Sequence, residues 1–174
     1  MPVPRVYLPE AQAPDTEIPL PAETARHLRK ALRLEPGAEV MAFDGQGGEL
    51  AGILVDGDAG PALRLEQRRD TNRESPLETI LWAGLSKGEK MDWVVQKATE
   101  LGVTAIRPVQ TARSVRRLTG EKAAKNQRRW ERIAIAACEQ CGRNRLPRIE
   151  PVTDLEEALA SAGLGGIMLT ETEE

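Results

Sequence analysis

At 174 residues, with 40% apolar and 29% charged side chains, the chain is long enough to bury a real core and is not of disordered composition. No apolar run approaches the roughly 18 residues a membrane span needs, two cysteines are too few for a disulfide framework, and Met1-Pro-Val-Pro-Arg5 lacks a secretion-signal pattern, so the expected location is cytoplasmic. The net charge of -3 conceals a block from Arg107 to Arg148 in which twelve Lys or Arg face three Glu, a local balance of +9 that leaves -12 for the rest. Such a block suits a phosphate backbone, but a solvated helix face would look the same, and charge alone does not decide.

The N-terminal elements read as short strands around one helix. A strand is expected over Val3–Leu8, followed by a helix opened by Pro21, whose missing N–H costs nothing in a first turn. Its apolar positions, Ala25, Leu28, Ala31 and Leu32, follow helical spacing, with His27, Lys30 and Arg33 on the polar side. Strands are expected over Glu39–Phe43, Glu49–Val55 and Leu63–Gln67, separated by turns at 44–48 and 56–60. This pattern predicts a small β-barrel over 1–70. The polar, proline-ended stretch from Asp70 to Pro76 reads as the linker to a second unit over 77–174.

Beyond it the period changes. Thr79–Leu85 reads as a buried strand, Lys90–Leu101 as a helix with Met91, Val94, Val95, Ala98 and Leu101 inward, and Val103–Pro108 as a strand. Glu121–Cys141 reads as a long helix with Trp130, Ile133, Ala137 and Cys141 inward. Asp154–Ala162, with Asp154 at its N-cap, is a further helix, and Gly166–Thr170 a further strand. Alternating strands and helices imply an α/β layer on a largely parallel sheet.

Asp44-Gly-Gln-Gly-Gly48 lies between strands, so it reads as a hairpin turn and not as a phosphate loop. Cys138 and Cys141 have the spacing of a metal half-site but no second pair, and read as small helix residues. His27, the only histidine, is either a surface residue or a phosphate or base contact among basic neighbours. Glu139, Gln140 and Arg143 could hold a nucleobase edge within one turn; a surface salt bridge from Glu139 to Arg132 or Arg143 is the plainer reading.

Two stretches carry a resemblance: Ser86-Lys-Gly-Glu-Lys-Met-Asp-Trp-Val-Val-Gln-Lys-Ala-Thr-Glu-Leu-Gly-Val103 with Ile106-Arg-Pro108, and Arg129-Trp130 with Ala136-Ala-Cys-Glu-Gln-Cys-Gly-Arg143 and Pro147. Arg5-Val-Tyr7, His27-Leu28, Ala31-Leu-Arg-Leu34 and Phe43-Asp-Gly45 extend it through the N-terminal unit. The chain resembles the trefoil-knotted SPOUT methyltransferases that modify N3 of a uridine in small-subunit (16S) ribosomal RNA. The resemblance implies a PUA-like RNA-binding barrel, then a SPOUT-type α/β methyltransferase domain, homodimeric and using S-adenosylmethionine. The family's later Gly-Pro-Glu-Gly-Gly loop and Leu-Gly…Leu-Arg-x-Glu-Thr-Ala stretch do not occur in this sequence. The expectation is therefore a C-terminally truncated methyltransferase domain, with Leu169 and Thr170 supplying one edge of the cofactor pocket and little affinity for cofactor alone.

For the chemistry, N3 of uridine must lose a proton, which points to Glu139 as base or base-positioning group and Arg143 as stabiliser of negative charge. Arg5, His27, Arg33, Arg113, Arg116, Arg117 and Arg129 are the expected RNA contacts. A non-catalytic RNA-binding module of the same two domains is the rival reading. A generic α/β nucleotide-binding protein is disfavoured by the missing phosphate loop.

Overall fold

The computed structural model describes residues 3–11, 13–86, 89–112, 114, 117–161 and 165–168. Five strands form the first sheet: β1 (Arg5–Tyr7), β2 (Glu17–Pro19), β3 (Glu39–Phe43), β4 (Glu49–Gly57) and β5 (Gly60–Arg69), in the order β1-β3-β4-β5-β2. The β1–β3 ladder is parallel and the others are antiparallel. All five strands feed one core: Val6, Val40, Ala42, Leu50, Leu54, Leu63 and Leu65 are buried, and Ile18 packs against them. Among the described residues no ladder joins β1 to β2, so the barrel is partly open. The β4–β5 register shifts between Ala51 and Gly52. A Cβ at Gly52 would lie 2.9 Å from the Arg64 carbonyl oxygen, so this bulge needs glycine.

The helix after Pro21 differs from the periodic expectation. α1 (Ala22–Arg26) widens into a π-helical turn, His27–Ala31, in which Leu32 N–H bonds the His27 carbonyl at 3.0 Å. The wider turn keeps Leu28 buried in the sheet core but rotates Ala31 and Leu32 to the surface. Arg33, in the left-handed region at φ 55°, ends the segment.

The second sheet contains β6 (Ile80–Gly84), β7 (Ala105–Gln110), β8 (Arg148–Ile149) and β9 (Thr153–Asp154), and every ladder in it is parallel. β6 covers one edge of β7; β8 and β9 share the other, as one strand interrupted around Pro151, which has no N–H to donate. α2 (Lys90–Glu100), α3 (Gly120–Cys141) and α4 (Leu155–Ala160) complete this layer. Met91, Val95, Ala98, Ile106, Trp130, Ala134 and Ile149 build its core. The buried side of α3 is Trp130, Ala134, Ala137 and Cys138, with Ile133 and Cys141 at its margins. Leu101, expected inward, is exposed, because α2 ends before it and Gly102 turns the chain at φ 93°.

Asp154 occupies the N-cap position of α4, but its side chain makes no cap hydrogen bond. The strand expected over Gly166–Thr170 is not formed at residues 165–168, where Ile167 and Met168 lie in solvent without a pairing partner; Leu169 and Thr170 fall outside the described residues.

Candidate nucleic-acid interface

The C-terminal end of α3 meets the first sheet in a cluster of buried polar groups. Glu49, on β4, is 2% exposed and receives Arg5 Nη1 at 2.7 Å and Arg73 Nη1 at 2.9 Å. Burial alone would raise its carboxyl pKa; hydrogen bonds from Arg73 and Arg5 outweigh burial and hold it at about 2. Arg5 also donates to the Arg143 carbonyl and to Asn144 Oδ1, and its guanidinium lies 5.2 Å from the Phe43 ring centroid. Arg5 therefore does not present its charge to RNA as expected: its Nη atoms are spent inside the junction between the two sheets.

Arg143, expected to stabilise charge in a reaction, is 7% exposed, and each of its three nitrogens is engaged. Nε and Nη2 donate to Glu74 Oε2 at 3.0 and 2.7 Å, and Nη1 to the carbonyls of Thr99 and Val103 at 2.8 and 3.1 Å. It ties the segment between β5 and β6 to the amino-terminal side of β7.

Glu139 makes neither of the salt bridges read from the sequence. Its Oε1 accepts the Tyr7 backbone N–H at 3.0 Å, joining α3 to β1. Burial raises its pKa, opposed by the Tyr7 N–H and by the charges of His27 and Arg5. In open α/β sheets, ligands bind beyond the carboxyl ends of the strands. Glu139 and Arg143 sit at the opposite end, and the six residues of β7 put roughly 20 Å between the two. At the carboxyl ends the polar groups are engaged locally: Gln110 Oε1 accepts Leu118 N–H, Ser114 Oγ accepts Thr111 N–H, and Asp154 faces Arg117 at 3.9 Å.

The remaining cations fall on the outside of α3. Lys125, Arg128 and Arg132 are exposed and lie on one stripe at helical spacing, with no ion pair among the described residues. Arg129 is exposed and paired with Asp92; Arg117 is exposed. Arg145 and Arg148, also exposed, flank Leu146 and Pro147. The helical segment between β2 and β3 presents His27 and, just past its end, Arg33 to solvent. Arg113 and Arg116 fall outside the described residues. The α3 stripe and the Arg145–Arg148 pair were not singled out from sequence, although the spacing of 125, 128 and 132 carried the signal. Between these cations, Tyr7, Glu131, Ala134, Ile135, Leu146 and Pro147 line a cleft of about 220 Å³.

Among the described residues no group of three or more His, Cys, Asp or Glu could hold a metal. Burial is the main cause that pushes the Cys138 thiol up to about 12, and its sulfur lies 3.6 Å from the Arg145 carbonyl oxygen, as befits a packing residue. No described helix is long and apolar enough to cross a membrane.

A family model described as an RNA methyltransferase domain matches residues 73–174, and one described as an RNA methyltransferase PUA domain matches residues 20–63. The chain belongs to the RNA methyltransferase family. A similar solved structure, Ribosomal RNA small subunit methyltransferase E from Neisseria gonorrhoeae bound to S-adenosyl methionine, is 40% identical with a TM-score of 0.86, covering 93% of this chain and 67% of that one. A Legionella pneumophila protein described as a methyltransferase, in complex with the same cofactor, is 34% identical with a TM-score of 0.87 over the same shares. Ribosomal RNA small subunit methyltransferase E of Bacillus subtilis is 37% identical over 139 residues, 79% of this chain and 54% of its own length. The chain thus spans about half the length of the curated relatives it matches. Its two layers are the PUA-like domain and the SPOUT-type α/β domain of this family.

Proposed function

We propose that this protein is an S-adenosylmethionine-dependent ribosomal RNA methyltransferase acting on N3 of a uridine in small-subunit (16S) RNA, and that residues 1–174 hold the RNA. The observation that carries the reading is the agreement, over 93% of the chain, with a small-subunit RNA methyltransferase crystallised with its cofactor. The stripe of Lys125, Arg128 and Arg132 supports an RNA partner, with Arg117, Arg129, His27 and Arg33 as further phosphate contacts. The division into units 1–70 and 77–174, a homodimer and a cytoplasmic setting in ribosome biogenesis belong to the same reading.

At the carboxyl ends of β7 and β9, the Gln110 and Ser114 side chains among the described residues are spent on nearby backbone N–H groups. No step of the transfer is therefore assigned to them. Glu139 acts as a strut that fixes the PUA-like domain against the methyltransferase domain, and Arg143 ties Glu74 to the backbone just before β7. The engaged strand ends also favour a second reading, a non-catalytic RNA-binding module. One experiment separates the two: nucleoside mass spectrometry of small-subunit RNA from cells with and without the gene. Loss of 3-methyluridine on deletion and its return on complementation is the expected result. An unchanged 3-methyluridine content would leave the binding-module reading.

A further inference from the structure

The cleft walled by Tyr7, Ile135, Leu146 and Pro147 has a charge pattern that suits one kind of occupant. Its walls are an aromatic ring and aliphatic side chains, while Glu131 stands at its lining and Glu139 one turn beyond Ile135 on α3. Carboxylates repel phosphate, so an anion is not the group that enters. The guanidinium groups lie outside it: Arg128 and Arg132 each precede a lining residue by one turn of α3, and Arg145 and Arg148 bracket Leu146 and Pro147 in the chain. The Arg145 side chain runs over the β3–β4 hairpin, where a Cβ at Gly47 would come within 2.9 Å of its Nε. Mostly apolar walls with the Glu131 carboxylate at the lining and cations at the rim match a nucleotide, whose flat base carries N–H donors and whose phosphates carry the charge.

Tyr7 is suited to the seat. Its ring is half-buried against Phe43, 5.7 Å between centroids, so it holds one orientation. Its phenol has no hydrogen-bond partner among the described residues, and burial, Glu10 and Asp44 raise its pKa, so it stays a neutral donor. The ring is further fixed by the close approach of Gly45, at which a Cβ would meet Tyr7 Cε2 at 3.0 Å.

We propose that this cleft seats one unstacked RNA base, a nucleotide flanking the target and not the target itself, since the cleft lies at the amino end of the sheet. The exposed stripe of α3, which from Lys125 to Arg132 spans about 10 Å, runs from the carboxyl ends of the strands toward the cleft and provides a phosphate track between them. The proposal rests on the reading that RNA is the substrate.

The test uses residues 1–174 and two probes of equal phosphate count, a single-stranded oligouridylate and the same chain made fully abasic, with binding read by fluorescence anisotropy. The intact probe is expected to bind about tenfold more tightly than the abasic one. In Ile135→Trp, which fills the cleft, that difference is expected to vanish while abasic binding is unchanged. Photocrosslinking of a 5-iodouridine probe to the unsubstituted protein is expected to mark Tyr7, which decides the matter even if Ile135→Trp does not fold. Equal binding of the two probes, or a crosslink away from the cleft, overturns the base seat and leaves RNA binding standing. Failure of both probes to bind overturns the RNA reading as well.

Discussion

Glu139 Oε1 accepts the backbone N–H of Tyr7 at 3.0 Å, so a strand of one sheet is a donor to a helix of the other. A group that looks catalytic in a sequence motif is in this way committed to holding two domains together. Replacing Glu139 with Ala leaves the Tyr7 N–H without its acceptor and is expected to cost about 1–2 kcal/mol in urea unfolding. Glu139→Gln retains an acceptor oxygen and should unfold near the unsubstituted midpoint. A general base replaced by an amide would instead lose on the order of 10²–10⁴ in rate, so methyl transfer surviving in Glu139→Gln checks the strut assignment.

Arg143 bridges Glu74 and two backbone carbonyls while 7% exposed, a site that rewards a planar fork. Arg143→Ala should destabilise by about 3 kcal/mol, because the largely buried Glu74 carboxylate loses its ion pair and the Thr99 and Val103 carbonyls each lose a donor. Arg143→Lys supplies charge without the fork and is expected to recover less than half of that loss. Denaturant midpoints measured at constant slope provide the check.

The Glu49 carboxyl predicts acid behaviour. Its pKa falls from 4.5 to about 2 on folding, so between those values the unfolded chain binds more protons than the folded one. The stabilisation is complete above the unfolded pKa and is lost as pH falls through the folded one. Its full size is about 3 kcal/mol. Glu49→Gln should flatten the dependence of unfolding free energy on pH between 2 and 4.5. A slope unchanged by the substitution would place the titration elsewhere.

How much of this was legible in the sequence depended on sequence separation. Alternation in β3 and β4, the glycine stop at Gly102 and the helical period of α2 and α3 are local signals, and the elements formed close to where those signals put them. β8 and β9 are two residues each and carry no period, and β2 is three, so they escaped notice. The π-helical turn, in which Leu28 stays buried while Leu32 is exposed, is not revealed by the helical spacing of Ala25, Leu28 and Leu32. Site residues were harder still. Arg5 meets partners 44 and 139 positions away, so nothing near it in the chain distinguishes a junction arginine from an RNA contact. Arg5→Ala should accordingly lower stability and leave the salt dependence of RNA binding unchanged, whereas an RNA contact would reduce it.

In the proposed function the outer stripe of α3 grips RNA phosphates. The most direct measurement is the slope of log affinity against log salt for residues 1–174 binding a single-stranded small-subunit RNA fragment. Each neutralised phosphate contributes roughly -0.7 to that slope. Joint replacement of Lys125, Arg128 and Arg132 by Gln, at exposed positions where folding should be unaffected, is predicted to make the slope shallower by about 2. A slope that is flat in the unsubstituted protein, or unchanged in a folded triple variant, would contradict the claim.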